Sequence, residues 1–113
     1  MKPIRIVDMN YDQCVNQTRI PIMLAFGGIW DYASRQVFCT LDTLAEKYDK
    51  MLLIGFVEHE QSPDLFTMHE ISELPTVIIF EDGKPYRPLV GEYTIQKVEA
   101  YIRRFFGLYP YEI

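Results

Sequence analysis

The sequence predicts an α/β fold in which a mixed, mostly five-stranded sheet carries helices on both faces. Three observations predict it. Apolar runs of strand length at 4–7, 21–26, 51–57 and 77–80 alternate with segments whose apolar residues recur every three or four positions. Helices between the first and second strands, and between the second and third, imply right-handed crossovers and parallel neighbours. Asp82-Gly83, directly after the fourth run, is a hairpin turn that makes the last pair of strands antiparallel.

In chain order, 4–7 is a short strand and 8–10 a turn into a first helix at 11–17. The run 21–26 is apolar almost throughout, as expected of a central strand covered on both sides. A second helix at 32–48 places Val37, Leu41, Leu44, Ala45 and Tyr48 on one stripe. The strand at 51–57 leads through a polar loop to a short helix at 64–70, with Leu65, Phe66 and Met68 available for burial. Ile71 and Leu74 bracket the loop that delivers Pro75, ahead of the strand at 77–80. Leu89 and Val90 form a returning edge strand, where Pro85 and Pro88 are tolerated because an edge needs fewer N–H donors. Thr94 caps the last helix, whose Ile95, Val98, Ile102 and Phe105 recur at helical spacing.

At 113 residues the chain is one domain, with a core at about 4–106 and an aromatic tail at 107–113. A net charge of −5, from 16 acidic and 11 basic residues with no basic run, argues against a nucleic-acid partner. No apolar run approaches a membrane span, and the first residues lack the apolar centre of a signal peptide, so a cytoplasmic location is expected. Cys14 and Cys39 lack a Cys-x-x-Cys spacing, which argues against structural disulfides.

The chemistry-bearing stretch is the junction between the second strand and second helix. Phe26 leads to Gly27-Gly28, Ile29 and Trp30, and the helix opens at Asp31-Tyr32-Ala33-Ser34. The N–H groups of a first helical turn lack partners within the helix and favour negative charge. Asp31 is a good N-cap that fills this position itself. Alone, with no second carboxylate, histidine or metal beside it, it reads as a cap rather than a catalytic base. His59, in the acidic run Glu58-His59-Glu60, and His69, at a helix end, do not form a metal pair, and neither a metal nor a cofactor is expected.

These residues resemble the thioredoxin signature, in which tryptophan is followed by Cys-Gly-Pro-Cys and then the helix. Leu74-Pro75-Thr76 resembles that family's cis-proline loop. The next strand, the Glu81-Asp82-Gly83-Lys84 turn, and Val90-Gly91 before a final amphipathic helix extend the resemblance to the family's closing elements. The likeness runs from about Tyr11 to Phe106. It implies a thioredoxin-like fold without the dithiol: Asp31 stands in the place of the attacking cysteine and Ser34 in that of the resolving one. The family's buried acid and lysine are matched by Ala25 and Ile54. Thiol-disulfide exchange needs a thiolate and a resolving thiol, which a carboxylate and an alcohol cannot replace. Cys39 is read as a small buried residue. Cys14, on the helix of the opposite face, is too remote to bridge to it.

The resemblance also implies a surface for an extended peptide at Trp30, Asp31, Tyr32, Ser34, Leu74, Pro75 and Gly91. The resulting expectation is a non-catalytic, redox-inactive protein- or peptide-binding domain of chaperone type, with no oxidoreductase activity. Two alternatives stand beside it: an atypical thiol-redox protein using Cys39 or Cys14, and a structural or oligomerisation subunit, such as a homodimer, using Trp30, Tyr32 or the edge strand.

Overall fold

The computed structural model describes residues 2–108. The aromatic tail expected from sequence therefore lies, from residue 109 on, outside the described residues. The elements run β1 (Ile4–Arg5), α1 (Asp8–Tyr11) continuing into a π-helical turn (Asp12–Asn16), β2 (Ile22–Gly27), α2 (Tyr32–Lys47) and β3 (Leu53–Glu58). They continue as α3 (Pro63–Met68), β4 (Thr76–Glu81), β5 (Lys84–Pro85), β6 (Leu89–Val90) and α4 (Ile95–Phe106).

The sheet has six strands in the order β1-β3-β2-β4-β5, with β6 also paired to β4. β3 lies between β1 and β2 and is parallel to both. Crossover helices fix the parallel direction of these strands, but β1 and β2 are not neighbours. β2 is antiparallel to β4, from Ile22 opposite Phe80 to Phe26 opposite Thr76. The single edge strand expected at 89–90 is two pieces. Lys84–Pro85 pairs across the hairpin, and Leu89–Val90 pairs further along β4.

β2 is buried along its whole length because both faces are covered. Met23 and Ala25 point into a core shared with Val37, Leu41 and Leu44 of α2 and Val98 and Ile102 of α4. Ile22, Leu24 and Phe26 point the other way, toward Val15, Leu65 and Phe66. The alternation of a strand thus feeds two cores, one under α2 and α4, the other under the π-helical turn and α3.

Hydrogen bonds tie α4 to the sheet and to the end of α2. Tyr101 of α4, 7% exposed, accepts a hydrogen bond from the Ile79 N–H at 3.0 Å and donates one to the Arg87 carbonyl at 2.8 Å. Tyr48 donates to the Glu99 carboxylate at 2.7 Å, which also pairs with Lys47. Burial and the Glu99 hydrogen bond push the Tyr48 hydroxyl up to about 12. No helix among the described residues is long and apolar enough to cross a membrane.

Candidate functional site at the C-terminal end of the central strand

β2 and β3 are parallel, so their C-terminal ends open on one edge of the sheet. The His59 N–H donates to the Gly27 carbonyl at 3.0 Å, which holds the two exits together. The glycine pair at the end of β2 answers a packing demand. A Cβ on Gly27 would fall 2.7 Å from Ser34 Cβ, and one on Gly28 would fall 2.4 Å from the Trp30 ring. Only bare backbone lets the first turn of α2 and the indole press this close.

Asp31 caps α2 as its residue type predicts. Its backbone is extended, with φ −94° and ψ 125°, and its carboxylate accepts the Ser34 N–H at 2.9 Å. The same oxygen, Oδ2, accepts the Ser34 hydroxyl at 2.8 Å. Ser34 is fully buried, so its hydroxyl is turned inward onto the cap and away from any partner. Arg35 reaches back to donate to the Ile29 carbonyl at 2.8 Å and closes the loop.

Trp30 is 55% exposed and Tyr32 60%. Their rings are held at their edges: Trp30 meets His59 edge-on at 5.6 Å, and Tyr32 meets Tyr93 at 6.2 Å. The Leu74-Pro75 bond is cis. The Pro75 carbonyl accepts the Gly91 N–H at 2.8 Å, so the proline loop and the end of β6 form one unit. Gly91 has φ 76°, a conformation that suits glycine.

Of the residues singled out from sequence, Trp30 and Leu74 line a common groove of about 740 Å³, together with His59, Pro63, Phe66 and Glu70. Asp31, Tyr32 and Gly91 lie outside that lining. Pro75 is buried, and Ser34 is sealed beneath the cap. The α3 wall was missed in sequence. Its signal was available, because a strand parallel to β2 must deliver its following loop and helix to the same edge. His59 bridges that wall, 4.9 Å from the Phe66 ring and beside Trp30.

His69, at the end of α3, serves a structural role. Its Nε2 lies 2.7 Å from the Tyr11 hydroxyl, and its ring packs against Phe26 and Phe80. Burial lowers its pKa from the ordinary histidine value and raises that of Tyr11. Ala25 and Ile54, at the positions of the family's acid and lysine, are both core residues. Among the described residues, no three His, Cys, Asp or Glu side chains converge as a metal site requires.

The cysteines fall on opposite faces and are both free. Cys14 is half-buried against the core below the π-helical turn. Cys39 corrects the sequence reading: it is exposed, not buried. It stands two residues, about half a helical turn, from each of the buried Val37 and Leu41, which sends it to the outer face. Tyr32 and Cys39, seven residues apart, share that face, about 10 Å apart along the axis.

A family model described as Thioredoxin matches residues 2–104. A thioredoxin of Griffithsia pacifica is 30% identical over 87 residues, covering 77% of this chain and 80% of the relative. Thioredoxin 1 of Synechococcus elongatus is 27% identical over 86 residues, covering 76% and 80%. A thioredoxin of Porphyra purpurea is 21% identical over 105 residues, covering 93% and 98%.

These relatives overturn the expectation of a non-catalytic, chaperone-type domain without oxidoreductase activity. They carry the name of a redox protein, and nothing in them supports a non-catalytic role. The step from a missing dithiol to missing thiol chemistry also rested on a buried Cys39, and that residue is exposed. Sequence match, sheet order, cis-proline loop and strand-to-helix junction agree, and the chain belongs to the thioredoxin family.

Proposed function

We propose that this chain is a thiol-redox protein of the thioredoxin family that works through one accessible sulfur, Cys39, rather than through a dithiol at the start of α2. The observation that carries this reading is the exposure of Cys39 on the outer face of α2, in line with Tyr32. Asp31 and Ser34 hold no sulfur, and Cys14 is packed against a core.

The reaction is monothiol exchange. The Cys39 thiolate attacks one sulfur of a partner disulfide; the new S–S bond joins Cys39 to the partner, and the other sulfur leaves as a thiolate. Glutathione then attacks the Cys39 sulfur of the mixed disulfide, releasing the partner's second sulfur as a thiolate and leaving Cys39 bonded to glutathione. A second glutathione attacks that bond, frees the Cys39 thiolate and leaves as oxidised glutathione. The surface of Trp30, Asp31, Tyr32, Leu74 and Gly91, with the buried Pro75 shaping its loop and Ser34 supporting the cap from below, positions an extended segment of the partner. Exposed aromatics at a sheet end are suited to anchoring such a segment. A reducing cytoplasm, which keeps a lone thiol free, is the compartment this chemistry suits.

The test is reduction of a protein disulfide with glutathione as the regenerating thiol. The account predicts turnover above the glutathione-only rate, lost in Cys39→Ser and kept in Cys14→Ser. Turnover unchanged in Cys39→Ser would overturn it.

A further inference from the structure

The groove on the α3 side of Trp30 has a charge as well as a shape. Residues 58–80 contain five carboxylates, Glu58, Glu60, Asp64, Glu70 and Glu73, and no lysine or arginine. Glu58 pairs with Arg5, away from the groove. The other four are exposed, and none makes an ion pair with a described residue.

Glu70 lines the groove beside Ile71, Phe66 and Leu74. Glu73 does not line the groove itself; its Oε2 lies 3.3 Å from the position a Cβ on Gly91 would take. Glu70 and Glu73 together line a smaller cleft that adjoins the groove at Ile71 and Ser72, so the two carboxylates share the rim on that side. The half-exposed indole of Trp30 lines the same groove.

We propose that this groove selects an extended partner segment in which an apolar residue is flanked by lysine or arginine. The apolar side chain seats against Phe66 and Ile71, beside Trp30, and the cations face Glu70 and Glu73 along one rim. In an extended chain alternate residues point to opposite sides, so apolar and cationic positions one apart can reach floor and rim separately. Opposed potentials of this kind set partner choice and association rate more than raw affinity. The inference rests on the docking surface assigned under Proposed function and adds the partner's chemistry to it.

Trp30 is the only tryptophan in the chain, so its fluorescence reports occupancy of the groove directly. The probes are a synthetic peptide alternating lysine and valine and two counterparts with glutamate or glutamine in place of lysine. None contains sulfur. The lysine peptide should shift the Trp30 signal at concentrations where the other two do not. Its binding should weaken about threefold to tenfold in Glu70→Gln/Glu73→Gln, and similarly on raising salt well above physiological strength.

Both substitutions are nearly isosteric and at exposed positions, and an unchanged circular dichroism spectrum confirms the fold. Equal binding of all three peptides, or no binding of the lysine peptide, overturns the inference. Because the peptides lack sulfur, charge-dependent binding with no Cys39-dependent turnover leaves the groove standing and removes the thiol reading. Turnover without charge preference does the reverse.

Discussion

One oxygen of Asp31, Oδ2, accepts both the backbone N–H of Ser34 at 2.9 Å and its hydroxyl at 2.8 Å. The two residues that occupy the places of a dithiol are thus spent on each other. The carboxylate satisfies an orphan donor of the first turn, and the buried hydroxyl finds its partner in the same group. Replacing Asp31 with alanine should cost about 1 kcal/mol from the cap, and more from the stranded Ser34 hydroxyl. Urea unfolding of Asp31→Ala against Asp31→Asn checks it, since asparagine keeps a cap acceptor and should lose less.

Gly28 underlies the pose of Trp30. A methyl group there would overlap the indole ring, so Gly28→Ala should swing Trp30 outward at a cost of about 1–3 kcal/mol. The fluorescence of the sole tryptophan should shift to the red and become easier to quench with iodide. An unchanged spectrum would show that the ring does not depend on the glycine.

Burial holds the folded His69 below its ordinary value of 6.5. As pH falls through that value, the unfolded chain takes up a proton that the folded chain resists. Stability is thus fully present above about 6.5 and declines with falling pH until His69 titrates in the fold. The groups facing it are the Tyr11 hydroxyl and the rings of Phe26 and Phe80, none of them a carboxylate that would compensate. The urea midpoint should drop between about pH 7.5 and pH 5, and the drop should shrink in His69→Phe.

Tyr101 bridges α4 to the sheet through a single oxygen. In Tyr101→Phe the Ile79 N–H and the Arg87 carbonyl lose that partner in a buried setting, at a cost of about 1–3 kcal/mol. Urea unfolding monitored by circular dichroism measures it, with Tyr86→Phe as a less buried comparison.

Much of the fold was legible in the sequence. The unbroken apolar run of β2 marked a strand with two covered faces, and the stripe from Val37 to Tyr48 is the buried face of α2. The cap at Asp31, the cis bond before Pro75 and the apolar character of Ala25 and Ile54 all follow from residue type and place.

The features that were not legible have physical reasons. Crossovers fix strand direction but not order, so the insertion of β3 between β1 and β2 was invisible. The π-helical turn after α1 is held by Asp12, which accepts from the side chains of Asn16 at 2.8 Å and Gln17 at 2.5 Å, a local capture that periodicity does not report. Tyr101 lies between the apolar positions of α4 and is drawn inward by its hydroxyl contacts. Cys39 was misread because small size was weighed ahead of helical phase. The groove wall on α3 was missed because Phe66 served the core in sequence, whereas in three dimensions its ring also faces His59 and Trp30.

The most direct measurement is the order in which the two thiols of the folded chain exchange with oxidised glutathione, tracked by intact mass and peptide mapping. The account predicts one glutathione adduct, at Cys39, with Cys14 modified only after unfolding. An adduct forming first at Cys14, or none at Cys39 while the fold is intact, would contradict it.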